Sequence, residues 1–199
     1  MSIEDSTIGR LLAGRYRVIR RLGEGGMGSV YEAEHVQLGR RVAIKLLHEQ
    51  HATSIDLRTR FEREARMLSQ LRHPNVVTIT DFGIDDGKPF LVMDLLSGRD
   101  LASLIKEGRV APERAIGIVR QILRGVAHAH ARGLVHRDLK PHNVMVEVLE
   151  DGSDHVTVLD FGLARDTAGG SGTLTRSGIV VGTPAYMAPE QAGGGSADA

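Results

Sequence analysis

The chain has 199 residues, 41% of them hydrophobic, and its 25 lysines and arginines balance its 25 aspartates and glutamates. This length is enough for one domain or for two small lobes with a buried core. The zero net charge argues against a protein that binds nucleic acid through bulk charge, although it allows a local phosphate site. The chain has no cysteine, which excludes disulfides and thiolate metal sites.

No apolar run is long enough to cross a membrane, and the N-terminus has no signal-peptide core. We therefore expect a soluble, cytoplasmic chain without a membrane segment. Residues 1–13 are polar and mixed in character, which predicts a flexible or loosely docked flank.

A glycine-rich loop follows the first predicted strand. Alternating residues over 16–22 predict the strand, which runs into Leu22-Gly23-Glu24-Gly25-Gly26-Met27-Gly28 and then Val30. The loop has the pattern G-x-G-x-x-G-x-V, and strand-forming residues follow it, so it is predicted to lie between two strands. Without side chains, its glycines can lay backbone N–H groups over phosphates. A flexible hairpin with no ligand is the alternative, because the pattern alone is weak.

A lysine lies inside the next predicted strand. Lys45 belongs to the apolar run 42–47, where a charge is costly unless a counter-charge meets it. The alternative is a strand lysine whose ammonium group reaches solvent. Helical spacing over residues 55–71 places two acidic candidates, Glu62 and Glu64, on the helix that follows.

The middle of the chain predicts two more strands and two helices. Residues 76–82 and 89–93 have strand patterns around a turn. A short helix is predicted to begin after Asp100 as its N-cap, and a longer one to run from Pro112 to Arg132.

The densest group of reactive side chains is His136-Arg137-Asp138-Leu139-Lys140-Pro141-His142-Asn143. In this spacing an aspartate can accept a proton from a hydroxyl, a lysine can neutralise a phosphate and an asparagine can ligate Mg²⁺. A hairpin predicted over residues 144–146 and 156–159 ends at Asp160. A polar turn without chemistry is the alternative for the first motif taken alone.

These motifs, in this order, resemble those of the protein kinase superfamily, and most closely those of bacterial Ser/Thr kinases of the eukaryotic-like, Hanks type. The motifs are the glycine-rich loop, Val42-Ala43-Ile44-Lys45, the H-R-D-L-x-x-x-N loop, Asp160-Phe161-Gly162 and Ala188-Pro189-Glu190. The resemblance implies an α+β, bilobal fold. A flank over residues 1–13 precedes a β-rich N-lobe with one helix over 14–96. An incomplete, mainly α-helical C-lobe over 97–191 and a flexible tail over 192–199 follow.

The resemblance also implies ATP and Mg²⁺ as cofactors and a role for each site residue. Lys45, oriented by Glu64, would meet the α- and β-phosphates of ATP, Asp138 would accept the proton of the substrate hydroxyl, and Lys140 would steady the γ-phosphate. The implied Mg²⁺ ligands are Asn143 and Asp160. The other implied ATP contacts are Leu22, Gly23, Glu24, Gly25, Gly26, Met27, Gly28, Val30, Ala43, Met93, Asp94, Leu96, Asp100 and Met145.

The implied partners are protein substrates with Ser or Thr acceptors, and not nucleic acid. Residues 163–181 predict a mobile loop in which Thr173, Thr175 and Ser177 are candidate autophosphorylation sites, so dimerisation for trans-autophosphorylation is expected. Kinases of this family continue through several helices after Ala-Pro-Glu, whereas this sequence stops soon after Glu190. We therefore expect weak or no activity from the chain itself. The alternative function is a truncated nucleotide-binding module or an inactive fragment.

Overall fold

The computed structural model describes residues 5–25, 28–48, 62–63, 65–161 and 184–192. The chain forms two compact units. The first consists of Met1–Ser69 and Thr78–Leu96, and the second of Gln70–Val77 and Ser97–Ala199. None of the helices in these described ranges is long and apolar enough to cross a membrane.

The first unit contains an antiparallel sheet of six strands in the spatial order β1-β2-β3-β4-β6-β5. The strands are β1 (Leu11–Leu12), β2 (Tyr16–Gly25), β3 (Gly28–His35), β4 (Arg40–Leu47), β5 (Ile79–Asp85) and β6 (Lys88–Asp94). Helical residues 62–63 and 65–69 lie between β4 and β5 in the chain. The five strands predicted between residues 14 and 93 are confirmed, but β5 begins at Ile79 and not at residue 76.

The two faces of this sheet carry different residues. One face holds the apolar core of Leu12, Tyr16, Val18, Tyr31, Ala33, Val42, Ile44, Phe90 and Val92. Each large side chain buried in this way contributes roughly 1.5–3 kcal/mol to stability. Successive side chains of a strand point to opposite faces, so Val30, Ala43, Lys45 and Met93 lie on the other face. These four residues, which the sequence assigns to ATP, therefore share a face away from the core.

The N-terminal flank packs on the sheet. Leu12 is 1% exposed, and the Ala13 N–H donates to Asp85 Oδ1 at 2.8 Å. The Arg10 guanidinium donates to Asp85 Oδ2 at 3.1 Å, and the Tyr31 hydroxyl contacts Asp5 Oδ2 at 3.0 Å. Residues 5–13 are therefore docked on the sheet through Leu12 and through contacts with distant side chains, which agrees with the second of the two alternatives predicted for this flank.

The second unit combines helices with a three-stranded antiparallel sheet. Its strands are β7 (Arg99–Asp100), β8 (Val144–Val148) and β9 (Asp154–Val158), and its helices are α1 (Leu101–Glu107), α2 (Pro112–His130) and the short α3 (Pro189–Ala192). The predicted hairpin and both predicted helices are confirmed. The longer helix ends two residues before Arg132, and Gly133 follows it with a φ of 73°.

Helix α2 packs closely against the hairpin and the 70–77 segment. Ile118 of α2 joins Val144, Val146 and Val156 in an apolar cluster. Gly125 allows α2 to approach the 70–77 segment, since a Cβ atom there would lie 2.6 Å from the Asn75 carbonyl oxygen. This packing fixes the strand that leads to Asp160.

Candidate active site

Asp138 is held by two side chains of its own loop. The Lys140 ammonium group donates to Asp138 Oδ2 at 2.8 Å. The Asn143 side-chain amide donates to the same oxygen at 3.2 Å and to the Asp138 carbonyl oxygen at 2.9 Å. A 3₁₀ turn over Pro141–Asn143 brings these groups together, with the proline at its first position. Because both side chains contact Oδ2, Oδ1 is the oxygen that can face an incoming hydroxyl.

His136 joins this loop to the residue that follows β9. It is 3% exposed; its Nε2 lies 2.7 Å from the Leu159 carbonyl oxygen, and its Nδ1 lies 3.3 Å from the Asp138 backbone nitrogen. A carbonyl oxygen can only accept, so we assign the proton to Nε2 and the acceptor role to Nδ1. Burial lowers the pKa of His136, and this outweighs the opposing effects of the Leu159 carbonyl and the Asp160 carboxylate. The neutral ring thus satisfies both hydrogen bonds.

A backbone hydrogen bond brings the two candidate Mg²⁺ ligands close in the structure. The Leu159 N–H donates to the Asn143 carbonyl oxygen at 2.8 Å, and Asp160 is the next residue. Asp160 has a φ of 53° and Arg137 a φ of 61°. Left-handed backbone at residues other than glycine costs of order 1–3 kcal/mol and is concentrated at functional sites. Arg137 directly precedes Asp138, and Asp160 follows the end of the hairpin, so both left-handed residues lie beside the candidate site.

The donor set fits Mg²⁺. The Asn143 side-chain nitrogen is bonded to Asp138, so its Oδ1 is the atom that can face a cation, and Asp160 supplies a carboxylate. Proteins usually hold Mg²⁺ with one or two carboxylates while substrate phosphates and water complete the shell. Within the described part of the chain, no group of three or more His, Asp or Glu residues could hold a metal ion by itself. Asn143 and Asp160 would therefore supply part of the Mg²⁺ coordination shell, and the phosphates of a bound nucleotide and water would supply the rest.

In the first unit, Lys45 lies in a row of apolar residues across three strands. It is opposite Val30 of β3 and Leu91 of β6, and Ala43 is opposite Met93. Directly opposite residues share one face of a sheet. Lys45 is 9% exposed, so the aliphatic stem of its side chain is covered by neighbouring residues.

The ends of the glycine-rich loop are built into the sheet. Gly25 of β2 pairs with Gly28 of β3. A Cβ atom at Gly28 would lie 2.2 Å from the Leu46 carbonyl oxygen, whereas one at Gly23 would meet nothing within 4 Å. Gly28 is therefore required by strand pairing, and Gly23 leaves space beside its backbone. The predicted site residues Gly26, Met27, Glu64, Thr173, Thr175 and Ser177 lie outside the described residues.

The backbone N–H of Asp94 is bonded inside the first unit. Asp94 is the last residue of β6, and its N–H donates to the Thr78 carbonyl oxygen at 3.1 Å. The predicted ATP contacts of Asp94 and Leu96 through other backbone atoms stay predictions. The Asp94 carboxylate forms an ion pair with Arg40.

Asp100 caps helix α1, as predicted. Its Oδ1 accepts from the Ser103 N–H at 3.0 Å, and its Oδ2 accepts from the Ser103 hydroxyl. Burial raises the pKa of Asp100, but the hydrogen bonds from Ser103 outweigh this and hold that pKa below its usual value. The ionised carboxylate is therefore oriented by the helix end.

Two polar residues that contact β9, Asn75 and Gln121, are not among the predicted site residues. Gln121 lies three residues after Ile118 and four before Gly125, and both of these are buried. The helical period therefore places a polar side chain on the buried face of α2, which was an available sign of a buried hydrogen bond.

The chain is similar to known proteins over almost its whole length. The protein kinase domain family matches residues 16–198. The serine/threonine-protein kinase pkn2 of Myxococcus xanthus is 44% identical over 192 residues, which cover 94% of this chain and 23% of that protein. The serine/threonine-protein kinase PrkC of Bacillus subtilis is 42% identical over 191 residues, which cover 96% of this chain and 28% of that protein.

A solved structure agrees with these matches. The crystal structure of the Mycobacterium tuberculosis PknI kinase domain has a TM-score of 0.72 and 30% identity, and the match covers 96% of this chain and 69% of that one. The chain thus spans 23% and 28% of the two curated kinases. The motifs, the fold and these matches together show that the chain belongs to the protein kinase family.

Proposed function

We propose that this chain is the catalytic part of an ATP-dependent Ser/Thr protein kinase that transfers the γ-phosphate of Mg-ATP to Ser and Thr hydroxyls of proteins. The main support is one hydrogen-bonded group, in which Lys140 and Asn143 both contact Asp138 and Asn143 also bonds the residue before Asp160. This group contains a base, a cation and two oxygen ligands, which are the parts that phosphoryl transfer needs.

Asp138 acts as the base in this proposal. Its Oδ1 would orient the substrate hydroxyl and accept its proton as the hydroxyl oxygen bonds to the γ-phosphorus, while the bond from that phosphorus to the bridging oxygen breaks and ADP leaves. Its Oδ2 is fixed by Lys140 at 2.8 Å and by Asn143 at 3.2 Å, so the carboxylate cannot rotate freely. The Lys140 ammonium group supplies positive charge beside the base, where the transferring phosphate develops negative charge.

Asn143 and Asp160 would hold Mg²⁺, whose chemistry is to neutralise charge on the phosphate oxygens. Lys45, oriented by Glu64, would bind the α- and β-phosphates. Val30, Ala43 and Met145 would pack on the adenine, with Met93 behind it and Asp100 at the ribose. The remaining proposed ATP contacts are residues 22–28, Leu96 and the part of the Asp94 backbone other than its N–H.

The position of Lys140 supports specificity for Ser and Thr. A lysine two residues after the catalytic aspartate is the arrangement associated with Ser/Thr kinases. The curated relatives also bear the name of serine/threonine-protein kinases. Autophosphorylation at Thr173, Thr175 or Ser177 in a dimer, and action on cytoplasmic proteins, are part of the proposal.

Replacing Lys45 with methionine tests the nucleotide site. Methionine keeps the length of the side chain and removes its charge, so we expect weaker binding of Mg-ATP. Lys88→Met is the matched control, because Lys88 begins β6 at the far end from Met93. Isothermal titration with Mg-ATP measures the binding. Equal affinity of Lys45→Met and the unaltered chain for Mg-ATP would refute the assignment.

A further inference from the structure

The strand that leads to Asp160 is hydrogen-bonded along both of its edges. β8 pairs with one edge of β9. At the other edge, Gln121 Nε2 donates to the Asp154 carbonyl oxygen at 2.8 Å, and Gln121 Oε1 accepts from the Val156 N–H at 3.0 Å. The side-chain amide of Gln121 therefore bonds β9 as a neighbouring strand would.

Asn75 continues the same edge towards Asp160. Its Nδ2 donates to the Val156 carbonyl oxygen at 2.7 Å and to Gln121 Oε1 at 3.0 Å. Its own carbonyl oxygen accepts from the Val158 N–H at 3.0 Å. Asn75 is 5% exposed, so removal of a partner would leave a buried polar group without a hydrogen bond and without water to replace it.

These bonds end two residues before Asp160. The Val158 carbonyl oxygen accepts from the Val77 N–H at 3.0 Å, and Leu159 is bonded through both its N–H and its carbonyl to the catalytic loop. Asp160 then adopts its left-handed φ of 53°. Left-handed backbone is less favourable than extended or right-handed backbone for residues other than glycine, so the bonds on the residues before Asp160 help to hold this conformation. Any shift of β9 along its axis would therefore move or relax Asp160.

We propose that Gln121 and Asn75 are positioning residues for Mg²⁺, and we call their bonded side chains the amide clamp. The clamp fixes the register of β9 and so keeps the Asp160 carboxylate beside Asn143. Neither side chain is charged, so both act through the backbone of β9. This role rests on the proposed function, since it requires Asp160 to hold Mg²⁺ with a nucleotide.

The test uses the full chain with Gln121→Leu, which removes the donor and the acceptor while leaving a side chain of similar size. Ile118→Val is the matched control, because Ile118 lies one turn earlier on α2 and packs on the same hairpin through apolar contacts alone. The first measurement is a Mg²⁺ titration of the binding of a fluorescent ATP analogue, with an arm in chelator. The second is hydrogen–deuterium exchange of peptides that cover residues 156–161, without nucleotide.

For Gln121→Leu we expect the Mg²⁺ concentration at half-maximal binding to rise by about tenfold or more, as is typical when a residue that orients a metal ligand is lost. Binding in chelator should not change, and exchange over residues 156–161 should become faster. Ile118→Val should lower the melting temperature without moving the Mg²⁺ midpoint. A merely structural role for Gln121 would instead give the two variants the same midpoint.

Unchanged exchange in Gln121→Leu, or equal Mg²⁺ midpoints in the two variants, would overturn the clamp. If Gln121→Leu does not fold, Gln121→Glu replaces it, because glutamate keeps the acceptor for Val156 but turns a carboxylate oxygen towards the Asp154 carbonyl oxygen, where no hydrogen bond can form. A midpoint for Gln121→Glu equal to that of the unaltered chain would also overturn the clamp. Failure of the unaltered chain to bind the nucleotide at any Mg²⁺ concentration would refute the proposed function, and with it the role of the clamp towards Mg²⁺.

Discussion

Replacement of His136 by leucine tests the hydrogen bond that ties the Asp138 loop to the residue before Asp160. The ring is buried, and its Nε2 donates to the Leu159 carbonyl oxygen at 2.7 Å. Leucine has no donor, so this buried carbonyl would lose its partner at a cost of about 1–3 kcal/mol. Loss of the ring contact with Phe161, at a centroid distance of 4.6 Å, adds about 0.5–1 kcal/mol. We expect the free energy of unfolding to fall by about 1.5–4 kcal/mol in total.

The pH dependence of stability gives a second, independent measure of the same residue. Burial lowers the pKa of His136 below the usual histidine value of 6.5. The unfolded chain therefore takes up a proton on this ring at a higher pH than the folded chain does. Stability from this group is therefore complete above about pH 6.5 and is lost as the pH falls, by at most about 1.4 kcal/mol per pH unit. His136→Gln keeps an N–H donor and does not titrate, so it should remove this part of the pH dependence.

Urea unfolding followed by circular dichroism, at about pH 7.5 and about pH 5.5, separates the two effects. His73 has a pKa that is lowered mainly by burial and contributes in the same direction in every variant, so only differences between variants are interpreted. If His136→Leu is as stable as the unaltered chain at the higher pH, the hydrogen bond to Leu159 does not stabilise the loop. If His136→Gln keeps the full pH dependence, the buried neutral ring is not its source.

Two further substitutions test the scaffold. Gly28→Ala would place a Cβ atom 2.2 Å from the Leu46 carbonyl oxygen, so it should destabilise the chain by about 1–3 kcal/mol. Gly23→Ala is the control, because a Cβ atom there has open space, and it should leave the melting temperature nearly unchanged. Equal melting temperatures of the two variants would contradict this prediction. Arg114→Ala removes an exposed two-bond ion pair with Asp154 and should cost no more than about 1 kcal/mol; a larger loss in urea unfolding would show that the pair is more than a surface contact.

Most of the secondary structure and the centre of the site could be predicted because their determinants are local. Period-two alternation marks the strands, and Asp138, Lys140 and Asn143 lie within six residues of one another. Their side chains meet because one proline-led turn brings them together. Asp160 was placed correctly at the end of the hairpin for the same reason, since β8 and β9 are neighbours in the chain.

The features that could not be predicted depend on pairs far apart in the sequence. Ala13 and Asp85 are 72 residues apart, and the two side chains of the amide clamp are 46 residues apart. The helical period can place Gln121 on the buried face of α2, but it does not identify Asn75 and β9 as the partners of its side chain. The hydrogen bond between the Asp94 N–H and the Thr78 carbonyl oxygen likewise depends on the register of β5 against β6.

Transfer of labelled γ-phosphate, compared between the unaltered sequence and Asp138→Asn, tests the central claim most directly. Because the chain matches 69% of the PknI kinase domain, both sequences are assayed alone and fused to the remaining residues of that domain. We predict incorporation on Ser or Thr that is strong in the fusion and weak or undetectable in the chain alone. Asp138→Asn should abolish it while Mg-ATP binding persists. Equal incorporation in Asp138→Asn, or Mg-ATP binding without transfer even in the fusion, would contradict the assignment of Asp138 as the base of an active kinase.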